Sequence, residues 1–329
     1  MSPLARLFTV VLGATLAAGL STATGSAAET EQREVFSPDG TITRVDVPVQ
    51  REAPAPRSAV RADVVPIQQT GPSSERFDLV FVGDGYTSSQ LGTYKEHVVN
   101  RWNELTQVEP FKSYKQRFNV WAVNVVSRQS GVDHDPRGTL RDTALDMTFW
   151  CGGTERLLCV NETKAFQYAR LAPEVDQVVA LANTTKYGGA GGRVATSSGG
   201  NAQAGQIVVH ELGHSVGGLA DEYDYPNDRY TGREPSEVNA SKYTSAQMRQ
   251  NKAKWYQYLG KQSPDGGVVG TYEGAVYHKR GVYRPTENSL MRSLGREFNL
   301  IGLDAMKAAI ERKSRPATEG DSVHSHSGR

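Results

Sequence analysis

His210-Glu211-Leu212-Gly213-His214 is the stretch on which the reading of this chain turns. On an α-helix, positions four apart lie on one face, about a turn from each other. Two imidazoles so placed converge on a tetrahedral Zn2+, with nitrogen–metal distances near ~2.0–2.1 Å. Glu211 sits beside that face, where it reaches a water on the metal without filling a coordination position. The metal lowers the pKa of such a water towards ~7. The carboxylate can then take its proton and later deliver it to a leaving amine. The flanks suit a buried helix: Gln206 to Val209 is mostly apolar, Gly213 permits close packing, and a turn rich in Gly and acid follows. The plainer alternative is a helix with two surface histidines.

A third ligand has to come from the turn. After His214 the chain runs Ser215-Val216-Gly217-Gly218-Leu219-Ala220-Asp221-Glu222-Tyr223. The elongated zinc motif of the metzincins, which this stretch resembles, ends its helix at a glycine and supplies a ligand three residues later. Counting from Gly217 lands on Ala220, which cannot bind metal; counting from Gly218 lands on Asp221, which can. Asp221 is favoured over Glu222, and Asp224 is more remote. The structural alternative is that Asp221 caps or braces the turn.

The surroundings predict an α/β fold. Asp78 to Val82 is a buried-strand run, and Ser88 to Thr106 places Tyr94, Val98, Trp102 and Leu105 at helical spacing. Phe118 to Val126 is the next strand, so strand–helix–strand predicts a parallel pair. Asp176 to Ala182 adds a third strand. Arg193 to Ser197 reads as a short edge strand, which extended peptides bind by strand addition. About Ala202 to Gly217 is the helix carrying the histidines. Gly83-Asp84-Gly85 lacks the rest of any phosphate-loop pattern, so it is read as a turn exposing Asp84 at a strand end.

Composition narrows the classes without choosing one. The 329 residues have 37 Lys+Arg against 36 Asp+Glu, a net charge of +1, which argues against a nucleic-acid partner. No apolar run reaches the ~18 residues of a membrane span. Residues 1–28 have the layout of a secretory signal: Arg6, an apolar stretch from Leu7 to Leu20, and Ser26-Ala27-Ala28 for cleavage. Without them the formal charge is zero. Export makes Cys151 and Cys159, eight apart, a disulfide candidate, stabilising by roughly 2–3 kcal/mol in the loop-entropy account. Arg33 to Val47 alternates around Ser37-Pro38-Asp39-Gly40 as a hairpin, and Glu52 to Ser74 reads as linker or pro-segment. The domain reading is therefore 1–28 signal peptide, 29–75 hairpin and linker or pro-segment, 76–313 catalytic domain, and 314–329 disordered tail. That tail contains His324 and His326.

Taken together, the sequence resembles peptidase family M64, the IgA-peptidase-like secreted zinc metallopeptidases. The likeness covers most of residues 76–312. Gly83-Asp84-Gly85-Tyr86-Thr87, Phe118-Asn119-Val120-Trp121, Ser130-Gly131-Val132-Asp133 and Tyr187-Gly188-Gly189 carry it, with the zinc motif and Leu219-Ala220-Asp221-Glu222-Tyr223. Downstream it continues in Tyr272-Glu273-Gly274-Ala275, Tyr283-Arg284-Pro285 and Leu290-Met291-Arg292. The resemblance implies a metzincin-like zincin: an upper mixed-sheet subdomain with the active-site helix and a smaller irregular lower subdomain. Met291 then matches the methionine turn beneath the metal. Ser293 stands where some metzincins have a Tyr, leaving Tyr223, Tyr283 or His278 as candidates to stabilise the oxyanion. The expectation is a secreted, monomeric zinc endopeptidase in the extracellular space, periplasm or cell envelope. His210, His214 and Asp221 hold Zn2+, Glu211 is the catalytic base, and the partner is a protein or peptide substrate, with no nucleic acid and no stable membrane insertion. The rival is a non-catalytic extracellular binding protein on the same scaffold.

Overall fold

Strands buried on both faces organise the centre of the molecule. In the computed structural model, which describes residues 29–49, 61–134 and 140–314, the chain begins with β1 (Thr30–Phe36), β2 (Ile42–Pro48) and β3 (Val64–Gln68). There follow β4 (Phe77–Asp84), α1 (Leu91–Leu105), β5 (Phe118–Val123), α2 (Glu162–Ala169) and β6 (Gln177–Ala182). Then come β7 (Gly189–Ala190), β8 (Val194–Ser198) and α3 (Gly205–Ser215). The last part holds β9 (Asn227–Arg229), α4 (Ser245–Asn251), β10 (Tyr272–Ala275), β11 (His278–Arg284) and α5 (Leu300–Lys313).

A six-stranded mixed sheet of order β3-β5-β4-β6-β8-β7 is the frame. Strands β5, β4, β6 and β8 are parallel, and β3 and β7 close the two edges antiparallel. Every residue of β4 is buried. Leu79 and Phe81 face a core shared with Tyr94, Trp102, Val208 and Leu212, whereas Val80 and Val82 face Met147, Phe149 and Ala165. That period-two split is what a sheet covered on both faces requires, and each such side chain stabilises by about 1.5–3 kcal/mol. The first core carries α1 and α3, so the helix of the histidines is anchored to the sheet by Val208, Val209 and Leu212. A three-stranded sheet, β10-β11-β9, belongs to the part after α3.

Three sequence expectations change here. Val194–Ser198 is not the sheet edge, because β7 pairs outside it through Gly189↔Ser197 and Ala190↔Thr196. Asp84 is not an exposed turn residue but fully buried. Its carboxylate accepts from Ser127 Oγ, Thr143 Oγ1 and the amides of Leu145 and Met147, because the loop after β5 folds over the strand end. Val64–Gln68, within the stretch read as linker, pairs with β5; its Pro66 is tolerated because the strand is an edge. Cys151 and Cys159 are joined by a disulfide. Hairpin β1–β2 turns at Ser37–Thr41. The signal segment 1–28, linker residues 50–60 and the tail from 315 lie outside the described residues. Among those that are described, no helix is long and apolar enough to cross a membrane.

Candidate metal centre

Helix α3 brings His210 and His214 onto one face, and the way it stops brings the turn back to them. Gly218 adopts a left-handed φ of +60°, open to glycine without strain. Its amide donates to His214 O at 3.0 Å, and Leu219 N donates to Gly213 O at 3.1 Å. The chain thereby reverses at the helix end, placing Leu219 O 2.7 Å from His214 Nδ1. On the other imidazole, Nδ1 lies 3.2 Å from Leu290 O. A carbonyl oxygen only accepts, so each Nδ1 carries a proton and each Nε2 is the atom left to take a metal or a second proton.

Those two Nε2 atoms face each other at 3.1 Å. Asp221 Oδ1 lies 3.3 Å from His210 Nε2 and 3.2 Å from His214 Nε2. It finds no hydrogen-bond donor, while its other oxygen accepts from Tyr277 OH at 2.6 Å. Buried acceptors that converge without a donor between them are costly, and a cation relieves that cost. Two imidazole nitrogens and a carboxylate oxygen form a donor set suited to a divalent ion such as zinc. The local field points the same way. Burial alone would lower both imidazole pKa values, but the Asp221 and Glu34 carboxylates overrule it, holding His210 well above its ordinary value and His214 up to about 9. Burial would raise Asp221, yet the facing imidazoles hold it well below the usual carboxylate range.

Glu211 lies in the same cleft, of about 580 Å3, with Gly191, His214, Asp221 and Tyr277 among its lining. Its carboxyl is pushed up to about 8, first by burial and then by Glu34, against the opposing pull of His214 and His210. Its Oε1 finds no partner. Gly191 gives it room: a Cβ there would stand 2.0 Å from Glu211 Oε2. Below α3, Gly213 opens a similar space, since a Cβ on it would meet Met291 Sδ at 2.5 Å.

The competitors of Asp221 are engaged elsewhere. Glu222 is buried, with Oε1 accepting from Asn239 and Asn299 and Oε2 from Ser289; burial pushes its carboxyl up to about 7 against those bonds. Asp224 pairs with Arg292 at 3.4 Å. Of the oxyanion candidates, Tyr223 reaches the cluster through Glu34, at 2.7 Å. His278 packs edge-on against Tyr230, and neither it nor Tyr283 lines the cleft. Sequence reasoning missed Tyr277, which donates to Asp221, and Glu34, from β1, which completes a four-residue group with His210, His214 and Asp221. No spacing rule connects either to the helix motif.

The sequence profile of IgA peptidase M64 matches residues 65–266 and 261–310. The chain belongs to the IgA peptidase M64 family. No curated protein matches it. As an M64 peptidase it acts on protein, within a family of metallopeptidases. The matched span contains α3, Asp221 and Met291, whereas the hairpin with Glu34 precedes it.

Proposed function

We propose that the chain is a secreted zinc-dependent endopeptidase. In this reading His210, His214 and Asp221 hold Zn2+, and Glu211 is the general base and then the general acid. The observation that supports it most is the convergence of both Nε2 atoms and Asp221 Oδ1 beside a buried, unpartnered Glu211 oxygen. Zn2+ at that point supplies Lewis acidity and brings the pKa of water there towards about 7.

The chain's own groups do the rest. Leu290 O and Leu219 O fix the imidazole tautomers, and Tyr277 OH orients Asp221, as partners of metal ligands commonly do. Glu211, whose buried Oε1 has no other partner, takes a proton from the attacking water and returns it to the leaving nitrogen. A metzincin-like division accompanies this reading, with the six-stranded sheet and α3 above the cleft and the irregular part after Gly217 below. Met291 packs under the helix as a methionine turn would. The Cys151–Cys159 disulfide favours an oxidising compartment and so supports secretion.

The test is zinc content and casein hydrolysis of the wild type and Glu211→Ala. Hydrolysis falls on the order of 10²–10⁴-fold in the variant, with zinc retained. Hydrolysis that survives the substitution contradicts the mechanism, and bound zinc with no hydrolysis from either protein points to the non-catalytic binding protein.

A further inference from the structure

Glu34 does not come from the helix motif or from the turn after it. Its Oε2 lies 3.6 Å from His210 Nε2 and 3.8 Å from His214 Nε2, and its Oε1 accepts from Tyr223 OH at 2.7 Å. One carboxylate thus spans the point where the imidazoles meet and the phenol beside it. A catalytic zinc site keeps a position open for water or substrate, whereas four protein ligands make a closed one. With Glu34 in place, this site is of the closed kind.

The rest of the hairpin holds Glu34 there by meeting both walls of the cleft. Strand β1 lies against β7, the outer strand of the main sheet, and Arg33 Nη1 donates to Gly191 O at 3.0 Å. Phe36 is buried, with its ring edge-on to His210 at 5.5 Å. Ile42, on β2, packs with Phe36, Ile207 and Tyr223. On the lower wall, the Arg44 guanidinium sits 3.7 Å over the Tyr277 ring, and Leu294 N donates to Gly40 O at 2.9 Å. An extended segment crosses the cleft with a carboxylate at the metal-binding point, which is the place a scissile group has to reach.

We propose that the β1–β2 hairpin is an internal inhibitor of this peptidase, with Glu34 occupying the position that water and substrate need. The proposal rests on the zinc-peptidase reading of the same site. Activity then reflects the fraction of molecules in which the hairpin has withdrawn, and apparent affinity for any metal-directed ligand is reduced by that same fraction.

The test uses the full chain loaded with zinc, as wild type, Glu34→Gln, Glu34→Ala and Glu34→Ala/Glu211→Ala. Binding of a peptide hydroxamate is followed by calorimetry and casein hydrolysis by product release. Glu34→Gln keeps the shape of the side chain, so it guards against a variant that merely unsettles the hairpin. Both single variants should bind the hydroxamate on the order of tenfold tighter than wild type and hydrolyse casein faster by a similar factor. The double variant should keep the tighter binding and lose the hydrolysis. Equal or weaker hydroxamate binding in both single variants overturns the proposal. The two readings fail differently. Tighter hydroxamate binding with no hydrolysis in any variant keeps Glu34 as the group that blocks the metal position and removes the peptidase mechanism. Hydrolysis that depends on Glu211, with no gain from either Glu34 variant, does the reverse.

Discussion

Asp78, Glu174 and Asp176 gather ligand atoms within 4.8 Å of one another, and so do Glu34, His210, His214 and Asp221. In the first group the chain supplies its own cation: Lys313 Nζ lies 2.8 Å from Glu174 and 3.0 Å from Asp176. Asp78 Oδ1 accepts from Ser73, Asn119 and Trp121, and Asp176 accepts from the Asp78 amide. In the second group, among the described residues, the ion-pair partners of Asp221 and Glu34 are the two imidazoles alone. Both imidazoles have already committed their Nδ1 atoms to carbonyls. A cluster of acids is therefore a poor sign of a metal site by itself. An unpartnered buried oxygen is no better a sign, since Asp78 Oδ2 is one as well; the informative feature is buried carboxylates that converge on two imidazole Nε2 atoms with no lysine or arginine beside them.

Perturbing the two groups should give effects of different size and kind. Gly191→Ala puts a methyl where Glu211 Oε2 now lies, and the carboxylate has to swing away. A displacement near 1 Å can cost on the order of 10²-fold in rate. Casein hydrolysis should drop towards that factor while zinc content is unchanged, and an unaffected rate would show that the Glu211 position does not matter. Lys313→Met removes the built-in cation of the other group. Its ammonium is partly exposed, at 34% of the side-chain area, so screening limits the loss to about 1 kcal/mol or less by urea unfolding. Zinc content and hydrolysis should not change. A fall in zinc content would show that the two groups are coupled.

How much of the fold and the site is legible in the sequence follows from the range of the forces involved. Strands β4, β5 and β6 announce themselves as short, largely apolar runs, because both faces of the sheet are covered, and helix α1 through Tyr94, Val98, Trp102 and Leu105 at helical spacing. His210, Glu211 and His214 share one helix, and Asp221 follows a glycine turn, so spacing alone brings them into consideration. Glu34 meets Tyr223 across 189 positions, and nothing local marks that approach. The edge strand β7 has only Gly189 and Ala190, too little for any alternation to register. Asp84 reads as a turn residue because glycines flank it. Its burial depends on Ser127, Thr143 and the amides of Leu145 and Met147, at separations of 43, 59, 61 and 63 positions.

The central claim is that His210, His214 and Asp221 hold the metal while Glu222 braces the turn. Elemental analysis of zinc after equilibration at one buffered free-zinc level, on wild type, Asp221→Ala and Glu222→Gln, tests it most directly. The account predicts stoichiometric zinc in the wild type and in folded Glu222→Gln, and a large loss in Asp221→Ala. Full zinc retained by Asp221→Ala when Glu34→Ala is added, so that Glu34 cannot stand in as a ligand, would contradict it.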